Sequence, residues 1–147
     1  DIEIKMSENG YPNTFLPGRN LFFFITAAAL AYKKNILTLV GGMCETDFSG
    51  YPDCRENTIK SLEKTINLGL DKLFLLETPL MKLSKDKTWI LAKNIGGDKF
   101  VDLIINDTHT CYEGDRSQKH KWGYGCGVCP ACILRKDGYQ KFVESNN

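Results

Sequence analysis

The sequence predicts an α/β fold with a parallel sheet and a C-terminal segment that binds a metal. Short apolar runs rich in strand-forming residues alternate with longer stretches of helical periodicity, a pattern typical of parallel sheets. Four cysteines lie near the C-terminus, at Cys111, Cys126, Cys129 and Cys132, and the last three form a C-x2-C-x2-C run. The 147 residues, 42% hydrophobic and 25% charged, have the composition of a globular protein and the length of one domain.

The first part of the chain predicts a helix and a strand that are both buried. A helix should follow the Pro17-Gly18 turn, with Asn20 as its cap, and run to about Asn35. Residues 21–30 are apolar on almost every side of this helix, so we expect it to lie between other elements. Residues 36–40 are strand formers that precede two glycines, which predicts a buried parallel strand followed by a loop.

The remaining elements continue the alternation of helices and strands. Asp53 and Ser84 are the expected N-caps of two helices, and Gly96-Gly97 should end the second. The predicted elements are a loop at 43–54, a helix at about 55–68, a strand at 73–76, a helix to about Asn94, a strand at 101–105 and a helix at about 130–144. Three strands are few for a complete open sheet. We therefore expect residues 1–147 to be a single domain from a longer chain, with an α/β part at 1–108 and a zinc-binding part at 109–147.

The four clustered cysteines predict a tetrahedral metal site. Thiolates suit zinc, and closed four-thiolate zinc sites are usually structural. An iron–sulfur cluster is the main alternative, but the bacterial ferredoxin run requires a cysteine where this chain has Lys136. Thiols without a metal are a further alternative, as is the replacement of one cysteine ligand by His109 or His120. Cys44 and Cys54 lie in another segment and are expected to be buried thiols.

Charge and hydropathy exclude several classes of function. Nineteen basic and eighteen acidic residues give a net charge of +1, which favours neither nucleic acid nor an anionic membrane as a partner. The longest apolar run, 21–32, is too short to span a bilayer. The cysteines cluster at metal spacing and no signal peptide opens the chain, so we expect a reducing, cytoplasmic location.

One segment departs from the balanced charge of the whole chain. Between Arg116 and Lys141 there are six lysines or arginines and one acid, Asp137. The run is interpreted either as a solvated face that offsets the charge of the thiolates or as a contact for an anion. The second interpretation leads to an alternative function, a zinc-stapled nucleic-acid-binding module whose affinity falls steeply with salt.

The segment 41–55, which follows the first predicted strand, is a candidate ligand site. Ligands of open α/β sheets bind beyond the carboxyl ends of the strands. The candidate substrate-binding residues offer acceptors, donors, an aromatic face and a cation, and they are Asp47, Ser49, Tyr51, Asp53 and Arg55. This set suits a polar planar heterocycle, but turn formation and helix capping explain the same residues equally well. Arg19 and Asn20, at a helix start, are weaker candidates for binding a nucleotide phosphate.

Five blocks of the sequence resemble the 7-cyano-7-deazaguanine synthase family, the nitrile-forming enzymes of queuosine biosynthesis, a tRNA modification pathway. The blocks are PNTFLPGRN at 12–20, CETDFSGYPDCR at 44–55, ETPLM at 77–81, TCYEG at 110–114 and CGVCPACILR at 126–135. The second and the last are the most specific. The resemblance covers the chain from Tyr11 to about Phe142.

The resemblance implies an adenine-nucleotide α-hydrolase-like (Rossmann-like) fold and a homodimer that binds neither a membrane nor, directly, a nucleic acid. It implies one zinc ion per chain, held by Cys111, Cys126, Cys129 and Cys132. It also implies that ATP, with Mg²⁺, activates the carboxylate of 7-carboxy-7-deazaguanine, which ammonia converts through an amide to the nitrile. Arg19 and the segment 47–55 fall where nucleotide and substrate contacts are expected. No catalytic residue is assigned, and a non-catalytic relative that binds a deazapurine is an alternative.

The chain departs from the family pattern in two places. The family has a Ser-Gly-Gly-x-Asp-Ser loop that cradles the pyrophosphate of ATP, and neither Gly41-Gly42 nor Gly96-Gly97 is preceded by Ser or followed by Asp-Ser. We therefore expect a C-terminal part of a longer enzyme that does not turn over ATP alone. The stretch Arg116–Gly125 is longer than the family usually shows and contains a Lys-His-Lys sequence.

Overall fold

The computed structural model describes residues 10–11, 15–45 and 51–145. The chain forms two compact units, Asp1–Lys82 and Leu83–Asn147. The first unit contains α1 (Arg19–Lys33), β1 (Thr38–Val40), α2 (Glu56–Leu70) and β2 (Leu75–Glu77). The second contains α3 (Lys85–Asp107), β3 (Lys119–His120), β4 (Gly123–Tyr124) and α4 (Pro130–Ser145). This mixed α/β architecture with a short parallel sheet confirms the fold class at that level.

The sheet of the first unit is parallel, as predicted, but β1 is not the buried strand that was expected, because the described residues pack against one face of the sheet. Strands β1 and β2 pair with Leu39 opposite Leu76. Leu76 is buried, whereas Val40 and Leu75 are 65% and 48% exposed. Because successive strand residues point to opposite faces, the core lies on one side of this sheet. That core joins the inward residues of α1, α2 and β2, and its buried members are Phe24, Ala28, Ala31, Ile59, Leu62, Ile66, Phe74, Leu76 and Met81.

Helix α1 corrects two expectations. Its N-cap is Gly18, in a left-handed conformation, rather than Asn20, which lies in the first turn. The helix was expected to be buried on all sides, but Phe24, Ala28 and Ala31 are its buried residues and Phe22 is 68% exposed. A helix that is apolar on all sides is expected to pack against other elements on every side. The described residues of this chain supply partners for one side.

The expected capping of α2 by Asp53 is also wrong. The helix begins at Glu56 and its N-cap is Arg55, with no side-chain hydrogen bond at the cap. Asp53 lies instead in a short 3₁₀ turn, Pro52–Cys54, inside the segment predicted as a loop. Helix α2 itself matches its predicted periodicity, because Ile59, Leu62 and Ile66 are its buried residues.

The strand predicted at 101–105 is wrong, because these residues belong to helix α3. Gly96-Gly97, expected to end the preceding helix, produces a kink at Gly97 (φ 63°, ψ −163°), after which the helix resumes to Asp107. Val101 is buried and Ile104 and Ile105 pack against the same cluster. Their spacing of three and four residues is helical, and packing against α4 selects the helix over the strand that a short apolar run also allows.

The second unit places a small hairpin and helix α4 around the cysteines. Strands β3 and β4 pair antiparallel through Lys119–Tyr124 and His120–Gly123, and this hairpin was missed by the sequence analysis. Trp89, Val101 and Phe142 form one core cluster of this unit, between α3 and α4. A second cluster surrounds the cysteines and includes Trp122. Among the described residues, none of the helices has the length and hydropathy that a membrane crossing requires.

Candidate functional site

The four cysteines predicted as metal ligands come together in the second unit. The sulfur atoms of Cys111, Cys126, Cys129 and Cys132 all lie within 4.8 Å of one another, and the Cys126 and Cys132 sulfurs are 4.0 Å apart. A tetrahedral zinc site with Zn–S bonds of about 2.3 Å requires sulfur separations of about 3.8 Å. The four sulfurs therefore fit one tetrahedral ion after a contraction of a few tenths of an ångström to about one ångström.

The local sequence explains how the loop from Cys126 to Cys129 brings its sulfur atoms together. Gly127 adopts φ +77°, a left-handed conformation that favours glycine, and a Cβ there would lie 3.2 Å from His120 Cε1. The backbone N–H of Cys129 donates to the Cys126 sulfur at 3.3 Å, and that of Cys126 donates to the Cys111 sulfur at 3.4 Å. These donors stabilise the thiolate form of the ligands.

Helix α4 adds a second source of positive potential. The Cys129 carbonyl accepts the N–H of Ile133 at 3.0 Å, so Cys129 holds the N-cap position and Pro130 the first helical position, where proline is favoured. Cys132 then lies in the first turn, where the helix dipole favours a negative charge. The predicted start of the last helix near Pro130 is confirmed.

The thiols differ in acidity. Burial raises the pKa of Cys111, but hydrogen bonds from the backbone N–H groups of Cys126, Asp115 and Glu113 outweigh it and bring the pKa to about 6. Burial raises the pKa of Cys132, which is fully buried, and the neighbouring thiols Cys129 and Cys111 raise it further. The cluster thus contains one thiol poised to ionise and one that a metal ion must deprotonate.

The two histidines brace the cysteine loop and lie outside the ligand set. The Nε2 of His109 is 2.9 Å from the carbonyl oxygen of Asp115, and the Nε2 of His120 is 2.8 Å from that of Gly125. A carbonyl can only accept, so each Nε2 carries the proton. Cys111 lies in the loop that the His109–Asp115 contact closes. The His120–Gly125 contact closes the β3–β4 hairpin directly before Cys126.

Arg135, three residues after Cys132, is a buried charged residue that the sequence patterns do not single out. Its side chain is buried, and Nε donates to the carbonyl of Trp122 at 2.8 Å while Nη2 donates to the carbonyl of Ile104 at 2.8 Å. The guanidinium also lies 5.5 Å from the Trp89 ring centroid. The one available signal was position, because Arg135 follows Cys132 by three residues on a helix and so lies near the same face.

In the first unit, two predicted site residues meet although they are 33 residues apart. The backbone N–H and the side-chain Nδ2 of Asn20 both donate to Oδ2 of Asp53 at 2.9 Å. Asn20 Nδ2 also contacts the Cys54 sulfur at 3.2 Å. Asp53 is buried, and its Oδ1 has no hydrogen-bond partner within the described part of the chain. The carboxylate thus braces the first turn of α1 through Oδ2, and its buried Oδ1 is an acceptor that the described residues leave unused.

The other predicted site residues of the first unit have different surroundings. Arg19 is exposed and is the first residue of α1. Tyr51 is half-buried and stacks on Phe15, with ring centroids 5.0 Å apart. Arg55 is exposed immediately before α2. Asp47 and Ser49 lie outside the described residues.

Cys44 and Cys54 were expected to be buried thiols, but the structure leaves both half-buried. Neither forms a disulfide. Cys54 is held in the 3₁₀ turn beside Asp53, where its sulfur receives the Asn20 amide contact.

Comparisons with known proteins agree with the resemblance seen in the sequence. The family described as "Queuosine biosynthesis protein QueC" matches residues 1–143. The 7-cyano-7-deazaguanine synthase of Parvibaculum lavamentivorans is 62% identical over 143 residues, covering 97% of this chain and 61% of the relative. The enzyme of that name from Azorhizobium caulinodans is 58% identical over 142 residues, 97% of this chain and 59% of the relative.

A third relative with the same name, from Paraburkholderia phymatum, is 59% identical over 144 residues, which are 98% of this chain and 59% of the relative. The chain thus spans about three fifths of the length of the relatives it matches. Because the family match extends over nearly all of its residues and includes the four clustered cysteines, the chain belongs to the QueC family of queuosine biosynthesis proteins.

Proposed function

We propose that this chain is the substrate- and zinc-binding portion of a ligase that uses ATP to convert 7-carboxy-7-deazaguanine and ammonia to 7-cyano-7-deazaguanine. The observation that carries the proposal is identity of 57–62% to proteins named 7-cyano-7-deazaguanine synthase over almost the whole chain. The short parallel sheet with helices is consistent with one part of an adenine-nucleotide α-hydrolase-like fold. We also propose that the whole enzyme is a cytoplasmic homodimer.

The chemistry explains the need for ATP. A carboxylate is a poor electrophile, so an oxygen must first be bonded to phosphorus before ammonia attacks the carbon and expels it. The amide formed still carries one oxygen. Forming the nitrile requires that this oxygen also leave as a phosphorus-bonded group, together with the two protons of the amide nitrogen. The protein must hold the nucleotide and the acid in line and keep water away from the activated carbon.

Asp53 is the residue of this chain that best suits recognition of the deazaguanine. A buried acceptor without a partner costs roughly 1–3 kcal/mol, which a ligand donor recovers. The guanine-like edge of the substrate carries N–H donors that an acceptor such as Oδ1 of Asp53 can bind. The Phe15–Tyr51 stack offers an aromatic surface in the same unit. We assign Asp47, Ser49 and Arg55 to the same substrate site.

Arg19 and Asn20, the two candidates for binding the nucleotide, have different roles. The exposed guanidinium of Arg19 at the N-terminus of α1 suits a phosphate of ATP, which Mg²⁺ accompanies. Asn20 donates two hydrogen bonds to Asp53 and one contact to the Cys54 sulfur, so it holds the carboxylate in place. The pyrophosphate loop is supplied by polypeptide outside these 147 residues, and this chain alone is inactive.

The four cysteines hold one zinc ion, whose role is structural. All four ligand positions are filled by thiols, which leaves no position for a substrate. When bound, zinc links the hairpin segment to α4 through sulfur. The chemistry of the donor set, four soft sulfurs in tetrahedral reach, fits zinc, and the missing fourth ferredoxin cysteine disfavours an iron–sulfur cluster.

Titration calorimetry of the zinc-loaded chain with 7-carboxy-7-deazaguanine tests the substrate assignment. We expect saturable binding that Asp53→Asn weakens by roughly tenfold, because the amide can no longer supply a charged acceptor. Asp71→Asn is the matched control, since Asp71 is exposed in the same unit and is expected to leave the affinity unchanged. Wild-type affinity in the Asp53 variant would remove this residue from the site.

A further inference from the structure

A groove in the second unit is lined by residues that are not among the four metal ligands. It has a volume of about 650 Å³ and lies between the β3–β4 hairpin and helix α4. The lining residues that matter for its chemistry are Lys119, His120, Lys121, Trp122, Lys136 and Tyr139. A volume of this size falls in the range of small-molecule sites, roughly 300–1,000 Å³.

The groove is positively charged, and two of its three lysines can contact an anionic ligand. Glu144 is the single carboxylate among its lining residues. Lys119 donates to Asn106 Oδ1 at 2.8 Å and lies over the Tyr124 ring. Lys121 and Lys136 are exposed, and the structure gives them no side-chain partner among the described residues. They approach from opposite walls, Lys121 from the hairpin and Lys136 from α4.

A rigid aromatic surface forms part of the same groove. The rings of His120 and Trp122 stack with centroids 4.5 Å apart and planes within 6°. The contact between His120 Nε2 and the Gly125 carbonyl at 2.8 Å fixes the histidine ring. Trp122 is buried and its carbonyl accepts from Arg135, which anchors the hairpin. The partly exposed His120 ring is therefore fixed in place before any ligand arrives.

We propose that this groove binds a phosphorylated nucleoside, with Lys121 and Lys136 on the phosphate and the His120 ring, which Trp122 supports from behind, beside the base. Unpaired ammonium groups bind phosphate as point charges, and aromatic side chains stack on bases without regard to their identity. The phosphorylated nucleoside is either a free nucleotide or one unit of an RNA strand. The groove is formed by residues of the second unit and Arg19 belongs to the first, and the two proposals stand independently.

Fluorescence anisotropy with a fluorescein-labelled hexauridylate tests the proposal on the zinc-loaded chain. A uridylate is chosen because it is not the co-substrate proposed above. We expect saturable binding that weakens with rising salt and that the pair Lys121→Ala and Lys136→Ala weakens at least tenfold. The matched control pair is Lys87→Ala and Lys99→Ala, which removes two exposed lysines of α3 outside the groove and should leave the affinity unchanged.

Competition identifies the source of the ligand. Displacement by UMP at concentrations similar to those of the unlabelled oligomer indicates a free nucleotide, and displacement by the oligomer alone indicates an RNA strand. No saturable binding, equal weakening by the control pair, or displacement by inorganic phosphate as effective as by UMP would overturn the proposal. Acetylation mapped by mass spectrometry on the wild-type chain gives a variant-free readout. The ligand should protect Lys121 and Lys136 but not Lys99, and equal acetylation with and without it would also contradict the proposal.

Discussion

At the residue scale, Arg135 is a buried cation whose nearest counter-charge is the cysteine cluster. It is 6% exposed, and none of its contacts within the described residues is to a carboxylate. Burial lowers its pKa, and the charge of Cys132 opposes that effect. Four thiolates around one divalent ion carry a net charge of about −2, which a neighbouring guanidinium stabilises.

Replacing Arg135 by methionine should weaken zinc binding by roughly 10- to 100-fold, as loss of an outer contact of a metal site typically does. The change also leaves the carbonyls of Trp122 and Ile104 without a donor. Competition with a chelator measures the affinity, and Lys136→Met, which removes an exposed charge one residue away, is the control. Equal zinc affinity in both variants would show that Arg135 is only a packing residue.

Lys82, in contrast, bridges two carboxylates. Its Nζ lies 3.1 Å from Glu45 Oε2 and 2.8 Å from Glu56 Oε2, and the backbone N–H of Glu56 donates to the same oxygen of Glu45 at 3.2 Å. Hydrogen bonds from Lys82 and then Lys60 lower the pKa of Glu56 to about 2. These contacts join the segment after β1 to the start of α2, on either side of the candidate substrate residues.

In Lys82→Met the pKa of Glu56 should rise from about 2 toward its usual value of 4.5. A carboxylate whose pKa is lower in the folded state contributes stability above its unfolded pKa and loses it as pH falls. Wild-type stability should thus fall between pH 4.5 and about 2, and the variant should show a smaller change over that window. NMR titration of the Glu56 carboxyl measures the pKa. Lys64→Met, an exposed lysine of α2, is the control, and an unchanged Glu56 pKa in Lys82→Met would contradict this assignment.

At the element scale, helix α3 depends on one backbone conformation. Gly97 has φ 63° and ψ −163°, a region that residues with a Cβ hardly enter, and it joins two helical halves. The half before the kink contributes Trp89 and the half after it contributes Val101 to one core cluster. The kink therefore lets both halves pack in the same unit.

Gly97→Ala should lower the free energy of unfolding by about 1–3 kcal/mol, the cost of forcing a Cβ into this conformation. Gly69→Ala is a control of opposite sign, because Gly69 lies in α2 with nothing within 4 Å of an added Cβ. Alanine is preferred over glycine in a helix, so that variant should gain roughly 0.5–1 kcal/mol. Urea denaturation measures both values. A neutral effect of Gly97→Ala would mean that the kink relaxes without cost.

Sequence patterns predict the elements whose signals are local. The periodicity of α2, the strand before Gly41 and the start of α4 at Pro130 are of this kind. The strand prediction at 101–105 failed because a run of five residues with four apolar side chains fits either a strand or a helix that packs against a neighbouring element. The β3–β4 hairpin was missed because strands of two residues have no period to detect.

Contacts between distant residues were beyond the sequence analysis. The four metal ligands were found because cysteine spacing carries its own chemical signal. The Asn20–Asp53 contact joins residues 33 apart, and each residue alone suggests only a helix cap. The burial of Arg135 depends on carbonyls of α3 and of the hairpin, which no local pattern identifies.

At the scale of the whole molecule, the two compact units have separate sources of stability. The first has a cluster of nine buried apolar residues, whereas the second relies on a smaller aromatic cluster and on the cysteines. Structural zinc in small sites contributes on the order of 10–16 kcal/mol to folding. The second unit should therefore depend on the metal far more than the first.

Removal of zinc by a chelator should abolish hydrogen-exchange protection in the β3–β4 hairpin and the start of α4. Helix α2 should keep its protection, because its buried residues belong to the core of the first unit. Hydrogen exchange followed by mass spectrometry compares the two units in one sample and provides the internal control. Equal protection of the hairpin with and without zinc would mean that the cysteines are structural thiols only.

The proposed function is that these residues serve a nitrile-forming ligase whose remaining part lies outside this chain. The decisive measurement joins this chain to the portion of the Parvibaculum lavamentivorans relative that it does not match, in one polypeptide. The joined protein is supplied with 7-carboxy-7-deazaguanine, ATP, Mg²⁺ and ¹⁵N-ammonium, and the product is analysed by mass spectrometry. We predict 7-cyano-7-deazaguanine carrying one ¹⁵N from the joined protein and none from the 147 residues alone. Nitrile formed by the 147 residues alone, or none formed by a folded, zinc-loaded joined protein while the intact relative forms it, would contradict the account.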